Sequence, residues 1–155
     1  MPRSRPAEFE VSSLIPAPPG EVWQRIITPE GINHELRPWM RMTIPSGIER
    51  LEPESVELGK RIGRSWVLLF GVLPFEYDDI TLVELGPGRR FLERSPMLSQ
   101  RSWQHERIVE PAAGGSRITD RIHMEPRLGL PAAPLRPIFR AVFRHRHRRL
   151  RAWFS

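Results

Sequence analysis

Two hydrophobic periods alternate along the chain and divide it into three parts. Residues 7–15, AEFEVSSLI, put Phe9, Val11, Ser13 and Ile15 on one side of an extended segment, the period-two pattern of a half-buried strand. In PAPPGEVWQRI the period lengthens. Pro and Gly stop the strand, Pro19 suits a first helical turn, and Val22, Trp23, Ile26 and Ile27 recur at helical spacing. Pro29 interrupts this helix, and a second short helix is predicted from Glu30 to Leu36, ended by Pro38.

From Met40 the period returns to two. Residues 41–44 predict a short strand, and residues 45–60, with Pro45, Gly47, Pro53 and Gly59, a long connection. Ile62 to Leu73 reads as a strong strand with Ile62, Arg64, Trp66, Leu68 and Phe70 on one face. Pro74 or its neighbours turn the chain into Phe75 to Leu85, and GPGRR marks the next turn. Arg90–Pro96 and Arg101–Glu110 predict two more strands. PAAGG closes a last hairpin with Ser116 to Glu125, and RLGLPAAP links it to the final segment.

That segment carries a 3.6-residue stripe. Leu135, Phe139, Val142, Phe143, Leu150 and Trp153 share one face, and Arg140, Arg144, Arg148 and Arg151 the other. Arg146 breaks the pattern by falling in the middle of the apolar face. A charge on the buried stripe suits a helix that closes a cavity better than one that fills a solid core.

The order is strand, two short helices, about six strands, long helix. Consecutive strands joined by short turns imply antiparallel pairing. One such sheet with helices on one side makes an α+β domain, and a sheet of about seven strands can curl around the terminal helix. The 155 residues predict a single domain, 1–155, with residues 1–6 flexible.

Composition narrows the function classes. The absence of cysteine excludes disulfide frameworks, thiol catalysis and Cys-based zinc sites. No run of about 18 apolar residues predicts a membrane span. The start, MPRSRPAEFEV, lacks the apolar core of a secretory signal, so a cytoplasmic protein is expected. The net charge of +6 is local: of 24 basic residues only Lys60 is lysine, and seven arginines lie between Arg136 and Arg151.

The order of elements and several segments resemble the START-like, or helix-grip, superfamily (SRPBCC, polyketide cyclase/dehydrase-like proteins). The carrying segments are LIPAPPGEVWQRI, ELGKRI, LLFGVLPFEY, GPGRRF, SWQHERIVEP and GGSRITDRIHMEP, so the likeness covers nearly the whole chain. It implies a curved antiparallel sheet of about seven strands gripping the C-terminal helix, with an apolar tunnel between them. The occupant implied is a hydrophobic small molecule such as a lipid, polyketide or aromatic. Some members catalyse cyclisation or dehydration, and others only carry or sense a ligand.

Candidate chemistry concentrates at three places. In the simplest register of the last hairpin, His105 lies opposite Asp120, Trp103 opposite Ile122, and Arg107 opposite Ile118. A carboxylate that orients a histidine prepares a general base, and the same pair also reads as two buried polar groups satisfying each other. Arg146 must snorkel out, pair with an acid, or face the cavity and a ligand anion; Asp120, Glu93, Glu106 and Asp78 are candidate partners. Trp66, Phe70, Tyr77, Trp103, Phe139, Val142 and Trp153 are candidate ligand-binding wall, or plain core. His34, His123, His145 and His147 do not make a metal set, and no HExxH, phosphate-binding glycine loop or GxSxG is present. Neither a metal nor a cofactor is expected.

Three functions follow: binding of a hydrophobic small molecule without catalysis; cyclase or dehydratase chemistry with His105 as base, Asp120 as orienter and Arg146 stabilising an enolate; and weak contact of RHRHRRLR with an anionic surface or partner. Nucleic acid is not an expected partner, because that run lacks interleaved aromatics for stacking. The sequence leaves oligomeric state open.

Overall fold

The computed structural model describes residues 6–46, 48, 56–127, 129 and 131–155. The flexibility expected of residues 1–6 thus falls, apart from Pro6, outside the described residues, as does much of the 45–60 connection. The elements are β1 (Ala7–Ile15), α1 (Pro19–Ile26), α2 (Pro29–Leu36), β2 (Met40–Met42), β3 (Arg61–Leu69), β4 (Leu73–Leu85), β5 (Arg90–Ser95), β6 (Gln100–Ala112), β7 (Gly115–Pro126) and α3 (Ala132–Trp153).

The seven strands form one antiparallel sheet in the order β1-β7-β6-β5-β4-β3-β2. Each strand from β2 to β7 pairs with the next in sequence, and only β1 crosses over to pair with β7. Helix α3 lies against β1 and α2, so the sheet curls around it. Pro29 does not merely interrupt the first helix; it is the first residue of α2, and Thr28 caps that helix by accepting from the Gly31 N–H at 3.1 Å.

Alternation along the strands decides what faces inward. On β1 these are Phe9, Val11 and Ile15; on β7, Ser116, Ile118, Asp120, Ile122 and Met124. One apolar cluster joins Ile15, Val22, Ile26, Val109, Ile118 and Leu150 at the α1 end. Another joins Phe9, Trp103, Ile122, Met124 and Phe143 beneath the middle of α3. Gly115 must approach the backbone of Ile15 and Ala17 closely, and a Cβ there would collide with the Ile15 carbonyl oxygen.

Two expectations are corrected. The strand predicted to run to Leu73 ends at Leu69, and the chain turns through Phe70, Gly71 and Val72, with Phe70 at φ 52°. The face assigned to β3 is also reversed beyond its start. A register shift between Arg61 and Gly63 inserts an extra residue, so Ser65, Val67 and Leu69 face inward and Trp66 outward.

Candidate functional site

A cavity of about 600 Å³ lies between the concave face of the sheet and helices α2 and α3. Its walls are largely apolar: Leu135, Phe139, Val142 and Phe143 from α3, Ile32 and Leu36 from α2, and Val67, Ile80, Phe91 and Trp103 from the strands. Trp103 packs against both Phe139 and Phe143, with ring centroids 5.1 and 6.2 Å apart. Polar groups enter at a few points, chiefly Glu76, Asp78, Glu93, His105, Arg107 and Arg146.

Beneath this wall sits a buried ionic cluster. β6 and β7 pair with Arg107 opposite Asp120 and His105 opposite Ile122, two residues away from the simplest register. The two-residue turn Ala113-Gly114 sets this offset, with Gly114 at φ 80°. A shift of two keeps every side chain on its face, so His105 still reaches Asp120, diagonally, with Nε2 2.5 Å from Oδ1. Arg107 takes the directly opposed place. Its guanidinium donates to Asp120 Oδ1 and Oδ2 at 2.8 and 2.9 Å, and to Glu35 Oε1 and Oε2 at 2.8 and 3.0 Å. His147 adds a further contact, Nε2 to Asp120 Oδ2 at 2.6 Å, while its Nδ1 shares a hydrogen bond with the Ser13 hydroxyl at 2.8 Å.

The charges in this cluster balance: Glu35 and Asp120 against Arg107 and Arg146. Burial alone would raise the Asp120 carboxyl, but Arg107 and the two histidines hold it well below the usual range. Burial opposes ionisation of Glu35 too, and Arg107 and Arg146 outweigh it. His105 is lowered as well, but by burial itself, which outweighs the pull of Asp120, so the ring is neutral. An ionised Asp120 accepts, hence His105 Nε2 carries the proton and Nδ1 keeps its lone pair. Among the described residues no hydrogen bond engages that Nδ1.

Arg146 neither snorkels free nor meets any of the four acids expected of it. Its Nε donates to Glu35 Oε1 at 3.2 Å, the guanidinium lies 5.1 Å from the Phe143 ring, and the side chain lines the cavity at 12 % exposure. Glu93 feels its charge without bonding it.

A second polar group lies on the β4–β5 wall. Asp78 and Glu93 are both buried and face the cavity. Burial pushes Asp78 up to about 7. Glu93 is raised well above the usual range by burial, by the charge of Asp78 and by hydrogen bonding to it. Glu93 therefore keeps a proton, and a hydrogen bond joins it to Asp78. Asp78 Oδ1 is buried without a hydrogen-bond partner.

The aromatic candidates separate into two groups. Trp103, Phe139 and Val142 line the cavity with His105 and Arg146, and Asp120 touches it through His105 and Arg107. Trp66, Phe70 and Tyr77 do not line it. Trp66 is 39 % exposed and stacks edge-on to Tyr77 on the outer face, where Arg64 covers Tyr77. Phe70 is 62 % exposed in the β3–β4 turn. The RHRHRRLR run is not one solvated face: Arg146 and His147 point inward, and His145 and Arg149 bond the carbonyls of Arg37 and His34.

Glu35, Arg107 and His147 escaped the sequence reading as site groups, and Asp78 and Glu93 entered it only as candidate partners of Arg146. Signals existed. Glu35 lies 60° from Ile32 on the buried side of α2, and His147 lies between Phe143 and Leu150 on the α3 stripe. Asp78 shares parity with Ile80 and Leu82, and Glu93 with Phe91.

A curled sheet of seven antiparallel strands gripping a C-terminal helix, with a cavity between, is a START-like helix-grip fold. The chain belongs to the family described as domain of unknown function DUF8410, whose model matches residues 13–154. Among solved structures it is similar to protein CV1439 from Chromobacterium violaceum, with TM-score 0.71 and 16 % identity over 99 % of this chain and 98 % of that one. It is similar to a START superfamily protein from Mycobacterium smegmatis, with TM-score 0.67 and 7 % identity over 96 % of each chain. DynU16, a putative protein in the dynemicin biosynthetic locus, gives TM-score 0.57 and 19 % identity over 94 % of this chain and 46 % of that one. At these identities the likeness is one of fold. No curated protein matches the chain.

Proposed function

We propose that this protein binds a hydrophobic small molecule, of lipid, polyketide or aromatic type, between the sheet and α3, and carries or senses it. The observation that supports this reading is the cavity of about 600 Å³, within the range of small-molecule sites, with apolar walls and a few polar groups. Burial of apolar ligand surface supplies affinity, and the polar groups orient the ligand. The test is to purify the protein without added ligand, extract it with organic solvent and identify what is released. In parallel, a panel of fatty acids, sterols and aromatic polyketides is screened for a rise in melting temperature. A ligand at one hundred times its Kd stabilises the fold by about 2.7 kcal/mol. No extract and no rise across the panel refutes the reading.

A second reading, acid–base chemistry on the bound molecule, is favoured by one observation. Neutral His105 is oriented by Asp120 and keeps an unengaged Nδ1 at the cavity wall. His105→Gln with unchanged turnover of an identified ligand would remove it.

A further inference from the structure

The groups around the cavity do not balance once the buried cluster is set aside. Arg107 and Arg146 are matched by Glu35 and Asp120, and His105 is neutral. That leaves Glu76, Asp78 and Glu93 along the β4–β5 wall, and among the described residues no arginine or lysine bonds any of the three. Glu76 Oε1 accepts from the backbone N–H groups of Tyr77 and Ser99, both at 3.1 Å. Asp78 has no such arrangement. It is 6 % exposed and its Oδ1 lacks a donor.

An unpartnered buried carboxylate oxygen calls for a hydrogen-bond donor, and an excess of acid calls for positive charge. Among the described residues nothing donates to Asp78 Oδ1: Arg146 stays with Glu35, and the Ser95 hydroxyl, which accepts from the Thr81 N–H at 3.0 Å, bonds Asp78 without reaching that oxygen. Trp103, Phe91, Phe139 and Phe143 supply aromatic surface within the same cavity, which suits a cation on an apolar body.

From this we infer that the Asp78–Glu93 wall is a recognition site for an organic cation, a protonated amine carried on an apolar skeleton. The ammonium donates to Asp78 Oδ1 and takes the place of the proton that Glu93 holds, and the apolar body lies along α3. Binding therefore releases a proton to solvent: the carboxyl O–H of Glu93 breaks, and no other covalent bond changes. The groups around the pair are Ser65 on β3, opposite Asp78, Glu76 on β4, Ser95 on β5, Trp103 and His105 on β6, and Arg146 on α3, while the charge of Asp79 acts from the outer face of β4. Of these, Glu76 and Asp79 oppose ionisation of the pair, and Arg146 assists it. This inference rests on the cavity being a binding site and specifies what that site prefers.

The experiment compares three probes of one chain length, decylamine, decanol and decanoate, by titration calorimetry on the whole protein. It is run in two buffers of different ionisation enthalpy. Decylamine should bind at least tenfold more tightly than decanol, with buffer-dependent heat showing a released proton. Asp78→Asn should erase that preference while leaving decanol affinity within twofold. Glu93→Gln should abolish proton release while keeping decanol binding. Equal affinities, a preference for decanoate, or a preference that survives Asp78→Asn overturns the inference but leaves the cavity as a binding site. If none of the three probes binds, the cavity reading falls with it.

Discussion

Arg107 and Arg146 both contact Glu35, yet their loss should differ greatly. Arg107 is 1 % exposed and makes two hydrogen bonds to each of two buried carboxylates. Arg107→Met leaves Asp120 with only its histidines and Glu35 with only Arg146. Removing one partner of a buried ion pair costs about 3–5 kcal/mol, and here one cation serves two anions, so the upper part of that range applies. For a domain of this length the melting temperature should fall by roughly 10–15 °C. Arg146→Met removes one bond at 3.2 Å, and Glu35 keeps both of its bonds to Arg107. The orphaned charge is absent, and the methionine places apolar bulk in an apolar wall. The expected loss is about 1 kcal/mol. Urea unfolding at pH 7 measures both. A double variant, Arg107→Met with Glu35→Gln, should lose less than Arg107→Met alone, because the second substitution removes one stranded charge. Equal losses for the two arginine variants would refute the idea that Arg107 holds both carboxylates and Arg146 only supplements it at Glu35.

The acids of the two polar groups act on stability in opposite pH windows. Glu35 and Asp120 are depressed, so their contribution is present above the unfolded carboxylate value near ~4 and is lost as pH falls through their folded values. His105, also depressed, acts in the same direction: below about 6.5 the unfolded chain takes up a proton that the folded ring refuses. Asp78 and Glu93 are raised, so their contribution is present below the unfolded carboxylate range and is lost as pH rises through their folded values, about 7 for Asp78. Asp78→Asn should therefore stabilise the protein at pH 8 and have little effect at pH 4; a gain of the same size at both, measured by urea unfolding, would contradict this. Val142→Trp should fill the cavity and abolish ligand-induced rises in melting temperature while costing about 1–3 kcal/mol of stability. Gly115→Ala should destabilise by roughly 2 kcal/mol or more in thermal melts, because the new methyl meets the Ile15 carbonyl.

The parts legible in the sequence are those governed by local period. Alternation on β1 and the stripe on α3 needed no long-range information, and antiparallel pairing of consecutive strands followed from short turns, whereas the pairing of β1 with β7 did not. Trp66 shows where that logic stops. The bulge near Gly63 leaves no mark in hydrophobicity, yet one extra residue sends every later side chain of β3 to the other face. The last hairpin shows a milder case. A two-residue offset preserved the face, so His105 and Asp120 were placed together, but it changed who stands opposite Asp120. Glu35 could not be tied to Arg107 from local pattern, since 72 positions separate them and only the fold brings α2 over β6.

The sheet has two open borders, and one of them is guarded by a single amide. Asn33, on α2, accepts from the Met42 N–H at 2.7 Å and donates to the Met42 carbonyl at 3.1 Å. It thus imitates a further strand at the end of β2, a border only three residues long. A strand from another molecule would need those same two backbone groups to extend the sheet. A border of three residues with the outward hydrogen bonds of Met42 already taken offers little purchase for edge-to-edge association at this side of the sheet, so β2 can end the sheet without growing into a neighbour.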